Sequence, residues 1–367
     1  MTSRPMQARL LEPGDPLWPA ALSTMPHDVY HLPSYVEFAA RRQDAGTALG
    51  FLAEAGEQRL FAPLIVRPIP AAAGTPDGGL RDAVSPRGFP GPLFSSGSHP
   101  VDDEFADAAV EAFAATLRGS GIVSAYLRLH PILQPPLAAL RRAGAVVDSG
   151  DTVIIDLSLS SEELWRQTRD NHRRDINKAR RAGYRVRIDS SWERLLDFFD
   201  IYSQSMERLD AAPFWRLSLD YFADLRAALE GHIYLCVAEL GDELASAALL
   251  TEVDGIAEYH LAGTADGHVG SSPSKSVIDF ARTWAKERGD RVLHLAGSPR
   301  KGDPLISFKL GFSPLLDSVY SWRVIADREA YDRLTEGSSG AGPAARPSAA
   351  DDFFPAYRRP PLTSTSP

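Results

Sequence analysis

The chain has 367 residues and a net charge of −9, long enough for two domains and too acidic for a generally basic nucleic-acid coat. Its single cysteine, Cys236, excludes an internal disulfide and points to a reducing compartment. No apolar run approaches the roughly 20 residues of a spanning helix, and the first residues lack a signal-peptide core, so the expectation is a cytoplasmic protein with no membrane span.

Residues 1–24 read as an N-terminal segment. A helix is expected near 33–42, strands near 48–55 and 59–67, then "DAVSP", loop chemistry at "SPRGFPGP", a helix near 103–118, and a strand at "SAYLRLH". These elements form a first domain over 25–150. The second domain, 151–335, opens with the strand "TVIIDL". Ser160 and Glu163 then make the S-x-x-E capping box of one charged helix that runs to about Ala182, where Gly183 stops it. "YRVRID" alternates as a half-buried strand, and helices follow near 191–209 and 218–229.

Three strands come next, "IYLCVAEL", "ELASAALLTEV" and "IAEYHLAGT", the first two joined as a hairpin at "GDE". Cys236 lies within the first of them and reads as core packing. Val277, Phe280, Ala281 and Trp284 then mark one face of an amphipathic helix. The strand "RVLHLAG", a short helix carrying Phe308 and Lys309, and the strand "VYSWRVI", expected to close the sheet, complete the domain. From 336 onward the Gly, Ser, Ala and Pro content predicts a tail without fixed structure. Both halves are mixed α/β, with antiparallel hairpins feeding a later crossover helix, which suggests two copies of one fold.

Charge and residue type single out three places. Arg166 to Arg187 holds nine Arg or Lys against two Asp, a local excess of +7 in an acidic chain. Arg173, Arg174, Lys178, Arg180 and Arg181 could meet phosphates there, or form a solvated helix face. Ser274 would cap the amphipathic helix beside Lys275, another place for an anion. The third is Lys309, one of only five lysines, inside the apolar stretch "DPLISFKLGF". Other classes find no support: nine histidines are scattered without zinc spacing, and there is no G-x-S-x-G elbow or Walker loop.

The element order of the second half resembles the GNAT acyltransferase fold. The words "LWRQTRDNHRRDINKARRAGYRVRI", "YHLAGT", "SPSKSVIDFARTWAKERG", "HLAGS" and "DPLISFKLGF" resemble the Fem-type peptidyltransferases, which duplicate that fold. "DVYHLPSYVEF", "DAVSPRGFPGPL" and "LRLHP" are similar to the amino-terminal copy. The resemblance, over roughly residues 25–325, implies two tandem GNAT-like domains, each a mixed, largely antiparallel sheet flanked by helices. Between Ile188 and Tyr221 there is no room for the helical arm of some Fem enzymes, so this is the compact form.

The implied activity is amide formation from an aminoacyl-tRNA to the amine of a peptidic acceptor, a cell-wall precursor or a specialised metabolite. Such aminolysis needs neither metal nor cofactor, and DNA is not an implied partner. The Phe308–Lys309 pair would be catalytic: the compact Lys309 ammonium suits an oxyanion or a terminal phosphate, and Phe308 would pack the acyl or ribose end. His260 or Asp303 would be the general base. Arg87, Arg208, Arg216, Tyr221 and Tyr259 would bind the acceptor. Alternation along "AEYHLAG" allows at most one of Tyr259 and His260 to face the cleft. The loop "DGHVGSSPSKS" lacks the Q/R-x-x-G-x-G/A spacing of acyl-CoA enzymes, which weakens an acyl-CoA donor without removing it. A non-catalytic binding protein on the same scaffold is the third reading.

Overall fold

The structure, a computed structural model, describes residues 5–70, 79–97, 100–298, 303–339 and 353–359. The chain forms two compact units, residues 1–149 with 319–367, and residues 150–318. In chain order the first part supplies β1 (Gln7–Leu11), α1 (Leu17–Leu22), α2 (Pro33–Ala39), β2 (Thr47–Ala55), β3 (Gln58–Pro68), β4 (Arg81–Val84), β5 (Leu93–Ser96), α3 (Asp103–Gly119), β6 (Ile122–Arg128), α4 (Leu137–Ala143) and β7 (Ala145–Asp156). Then follow α5 (Ser161–Gln167), α6 (Asp170–Arg181), β8 (Arg185–Ile188), α7 (Leu195–Arg208), α8 (Leu219–Ala228), β9 (Ile233–Leu240), β10 (Glu243–Val253) and β11 (Ile256–Thr264). The last are α9 (Pro273–Glu287), β12 (Val292–Ser298), α10 (Pro304–Lys309), β13 (Leu315–Ile325) and α11 (Arg328–Ser339).

In the first unit the strand order is β1-β2-β3-β4-β6-β13, with β5 paired to β3. Only β4 and β6 run parallel; α3, between β5 and β6, supplies the crossover that a parallel pair needs. It buries Phe105, Ala109, Phe113 and Leu117 at i, i+4, i+8 and i+12, so one face seats on the sheet. Phe113 meets Phe51 edge-on and Trp322 at a 30° tilt, both at 5.0 Å.

Three sequence expectations are corrected here. The N-terminal segment is part of the domain: β1 pairs along β2 and Trp18 is fully buried. The strand "VYSWRVI" belongs to the first unit, where Ser321–Ile325 pair with Arg128–Ser124 of β6. The tail includes ordered structure. Tyr357 is buried and shares its hydroxyl with Ser124 at 2.8 Å, Arg358 pairs with buried Asp82, and Phe354 stacks on Tyr331. The rest of the tail, 340–352 and 360–367, lies outside the described residues.

The second unit orders its strands β7-β12-β11-β10-β9-β8, with β11 and β12 parallel and every other pair antiparallel. α9 joins the parallel pair and buries Val277, Ile278, Ala281 and Ala285, with Phe280 and Trp284 packed at the edge of the same core. Cys236 lies in that core, fully buried, and burial pushes its thiol well above the usual range. The capping box forms: Ser160 accepts from the Glu163 amide and Glu163 from the Ser160 amide.

The single charged helix expected after Ser160 is two. Thr168 is extended (ψ 127°) and breaks the run. Neither Gly nor Pro causes the break; tertiary bonds do. Arg282 donates to Leu164 O and Thr168 Oγ1, and the Arg169 amide donates to Gly311 O at 2.8 Å. The break points the first turn of α6 at the end of α10.

Candidate active site

The parallel ladder between β11 and β12 is short. Ile256, Ala257 and Glu258 pair with Val292, Leu293 and His294, after which the strands continue without pairing. Each is also bulged on its far side. On β11 the register with β10 jumps from Leu250↔Tyr259 to Leu249↔Leu261, which leaves His260 as the extra residue. On β12 the register with β7 jumps from His294↔Ile154 to Gly297↔Thr152, and Ala296 takes a left-handed φ of 56°. A left-handed alanine costs on the order of 1–2 kcal/mol, and bulges re-aim side chains beside functional sites. The two strands therefore part at Glu258 and His294, toward their carboxyl ends, where α/β sheets place ligands.

At the opening sits a buried polar chain. Thr152 Oγ1 lies 2.6 Å from His294 Nε2, and His294 Nδ1 lies 3.0 Å from Glu258 Oε1. Glu258 Oε2 is 3.9 Å from His260 Nδ1. Thr152, His294 and Glu258 are at most 1% exposed. Burial alone would raise the Glu258 carboxyl, but the hydrogen bonds and charges of His260 and His294 outweigh it and hold the group below the usual range.

Lys309 ends α10 and is 6% exposed. Burial pulls its pKa down to about 8, against the opposing pull of Glu258 and Asp303. Among the described residues no hydrogen bond or ion pair engages its ammonium. A buried cation with no fixed partner is costly unless a ligand or a nearby charge compensates it, which makes Lys309 a candidate functional group.

Its neighbour Phe308 is held from α6. His172 Nε2 donates to Phe308 O at 3.0 Å, and the His172 ring packs on Phe308 and Phe312 at 5.4 and 4.8 Å. Arg169 also donates to Ser307 O.

Several expected site residues have other roles. Asp303 is the N-cap of α10, accepting from the Leu305 amide at 2.8 Å; this bonded cap is poorly suited to be the base. Tyr259 alternates away from Glu258 and His260 into the core with Cys236, and Tyr221 is buried at the start of α8; neither presents an exposed face to an acceptor. Arg208 bonds to Asp266, Ser205 Oγ and Thr264 O, tying α7 to the end of β11. Arg216 is exposed after the turn Pro213–Trp215. Arg87 lies in the first unit, in a loop held by the Tyr35 hydroxyl on its carbonyl and Gln43 on its amide.

Ser274 does not cap α9. The N-cap is Ser272, left-handed at φ 52°, with no side-chain cap and Pro273 at the first helical position. Lys275 pairs with Asp175 at 2.5 Å. On α6, Arg180 pairs with Asp279 at 2.6 Å and Arg173 with Asp170. Arg174, Lys178 and Arg181 are exposed, at i, i+4 and i+7, opposite the buried His172, Ile176 and Ala179.

Residues 166–303 match the family described as an acetyltransferase (GNAT) domain. The second unit carries a GNAT domain. No curated protein is significantly similar to the chain in sequence. Among solved structures, FemX shares the fold at a TM-score of 0.66 and 14% identity, over 89% of this chain and 98% of that one. A conserved protein of unknown function from Bacteroides thetaiotaomicron gives 0.53 at 11% identity, over 82% and 94%. L-PGS from Bacillus licheniformis gives 0.50 at 14%, over 87% and 94%. At these identities the likeness is one of fold, and it extends past the GNAT domain into the first unit. The tandem GNAT-like architecture that the resemblance implied is the fold observed. Among the described residues no helix is long and apolar enough to cross a membrane.

Proposed function

We propose that the GNAT unit transfers an aminoacyl group from a charged tRNA to the amine of a peptidic acceptor, forming an amide. The observation that carries this reading is Lys309, a buried ammonium on α10 adjoining the bulged opening between β11 and β12. Such a cation donates to the oxyanion that develops as the amine attacks the ester carbonyl, in a low-dielectric site where that donation counts most. The ester C–O bond then breaks and the ribose hydroxyl leaves. In this reading the amine's proton goes to His260, a role that its 12% side-chain exposure and its bulge in the β10–β11 ladder support.

Two observations favour a tRNA donor over acyl-CoA. The exposed stripe Arg174, Lys178 and Arg181 offers cations to a phosphate backbone. The start of α9, where an acyl-CoA enzyme would hold pyrophosphate on free amides, offers fewer of them. Pro273 has no N–H, the Lys275 amide donates to Ser272 O, and the Lys275 ammonium is matched by Asp175.

Donor binding tests this before any acceptor is known. Charged tRNA pools are retained on filters at low and moderate salt, while acetyl-CoA and longer acyl-CoAs are titrated by calorimetry. Saturable, salt-sensitive retention of one charged tRNA without heat from any CoA is the expected result. Micromolar acyl-CoA binding with only nonspecific tRNA retention would make the protein an N-acyltransferase instead.

A further inference from the structure

We infer that the cavity between α5, α6 and α9 is a binding site for a phosphate group. It lies within the GNAT unit and does not depend on the roles proposed for Lys309 and His260. Its test uses neither a charged donor nor an acceptor, so each reading can fail alone.

The cavity has a volume of about 170 Å³, and its walls include Ser161 and Trp165 of α5, Arg180 of α6, and Asp279, Arg282 and Lys286 of α9. One water needs only about 15 Å³ of such space, so there is room for a group of several heavy atoms. The charge around it is unbalanced. Three cations share one carboxylate, and both Asp279 oxygens are taken: Oδ1 accepts from Arg282 Nη2 at 2.5 Å, and Oδ2 from Arg180 Nη2 at 2.6 Å. Glu163, the neighbouring acid on α5, is engaged by the amide and hydroxyl of Ser160 instead.

Hydrogen-bonding capacity is unbalanced in the same direction. Arg180 engages one of its five N–H groups, and Lys286 one of its three, on Leu157 O at 2.7 Å. Among the described residues nothing bonds the Trp165 indole N–H or the Ser161 hydroxyl. What remains at the cavity is donors and positive charge, which an anion with several acceptor oxygens satisfies.

A structural role accounts for part of the cluster only. Arg282 ties α9 to α5 through Leu164 O and to Thr168 Oγ1, and Asp279 neutralises it. That pair needs no second and third cation beside it. Arg180 is also ordered in advance. Its side chain is 60% exposed, yet it is held by Asp279 and by the Trp165 ring, 5.6 Å from its centroid; Arg282 lies 5.8 Å from the same ring. A ligand then does not bear the entropy of fixing an exposed arginine. Both an RNA backbone and a free nucleotide carry a phosphate ester, and the test separates them.

Full-length protein labelled with [ε-13C]lysine and [15N]tryptophan is titrated with inorganic phosphate, with AMP and with uncharged tRNA. Lys286→Gln assigns Lys286 among five lysines, and Trp165→Phe assigns the Trp165 indole among six tryptophans. Phosphate is expected to move both resonances along one saturating curve at millimolar concentration. Arg180→Gln should weaken that binding by about tenfold or more, and so should Lys286→Gln, read at Trp165. Tighter binding of AMP with no response to tRNA makes the ligand a nucleotide. The same shifts with tRNA, reversed by salt, make it an RNA backbone. No saturating shift with any of the three, phosphate being taken to about 50 mM, overturns the site. So does a curve that neither substitution alters in a protein with native near-UV circular dichroism.

Discussion

Lys309 and Gly311 are two residues apart and predict opposite mutational signatures. Lys309 contributes a charge and, among the described residues, no fixed bond, so Lys309→Ala removes the proposed oxyanion donor while leaving the packing of Ile306 on α10 and of Phe312 in place. Turnover should fall by a factor of about 100 or more, with unfolding free energy changed by under about 1 kcal/mol. Gly311 contributes space. A methyl group there would lie within the His172 ring, which is fixed by Phe308 O and wedged against Phe308 and Phe312. Gly311→Ala should therefore cost about 1–3 kcal/mol by overpacking and also lower turnover, because α10 shifts with His172. Paired denaturant melts and rate assays separate the two signatures; a Lys309→Ala protein with parental turnover would remove Lys309 from the chemistry. At this scale the sequence was legible where a residue stood out by type. Lysine scarcity pointed to Lys309. Glu258 was passed over because one acid in an alternating strand looks like a solvent-facing position, and His294 because its partner is 36 residues distant. A signal was present all the same: the word His-Leu-Ala-Gly occurs at 260–263 and again at 294–297, and both histidines meet at Glu258.

Among the elements, α6 carries the two halves of its role on opposite faces. His172, Ile176 and Ala179 seat it in the GNAT unit, and Arg174, Lys178 and Arg181 face outward. Replacing these three cations by glutamine should leave stability within about 0.5 kcal/mol, as for surface changes generally. It should weaken retention of charged tRNA and reduce the slope of log affinity against log salt by about 2 to 3. Filter binding across a salt series reads this directly, and an unchanged slope would show that the stripe meets no phosphate. Local signals made most of these elements readable: the capping box at Ser160, the stop at Gly183 with φ 92°, and the apolar face of α9. The break at Thr168 was hidden because its cause is Arg282, more than 100 residues later, reaching back to two oxygens. Propensity has no access to such a bond.

For the chain as a whole, element order suggested two copies of one fold and the resemblance made them GNAT-like, but the linear reading misassigned what closes the first. A linear reading gives each strand to the domain it follows, so β13 went to the second sheet, although its partner β6 lies almost 200 positions earlier. Composition likewise dismissed the tail, because a short aromatic cluster among Pro and Ala carries no period. The structure returns Phe354, Tyr357 and Arg358 to the first unit, where Phe354 stacks on Tyr331 and Tyr357 and Arg358 converge on buried Asp82. Asp82, 1% exposed, accepts from Arg67 at 3.0 Å, from Tyr357 Oη at 3.3 Å and from Arg358, and Ser124 shares the Tyr357 hydroxyl. Removing residues 353–367 would leave Asp82 with Arg67 alone and open the apolar cluster of Val123, Ala330, Tyr331 and Leu334. The expected loss is on the order of 2–4 kcal/mol, from a buried carboxylate deprived of a charge partner together with an uncovered tyrosine. Denaturant unfolding of the truncated chain measures it, and Asp82→Asn in the truncated protein should recover part of the loss by removing the stranded charge. Equal stability with and without residues 353–367 would mean that the tail rests on the first unit without holding it.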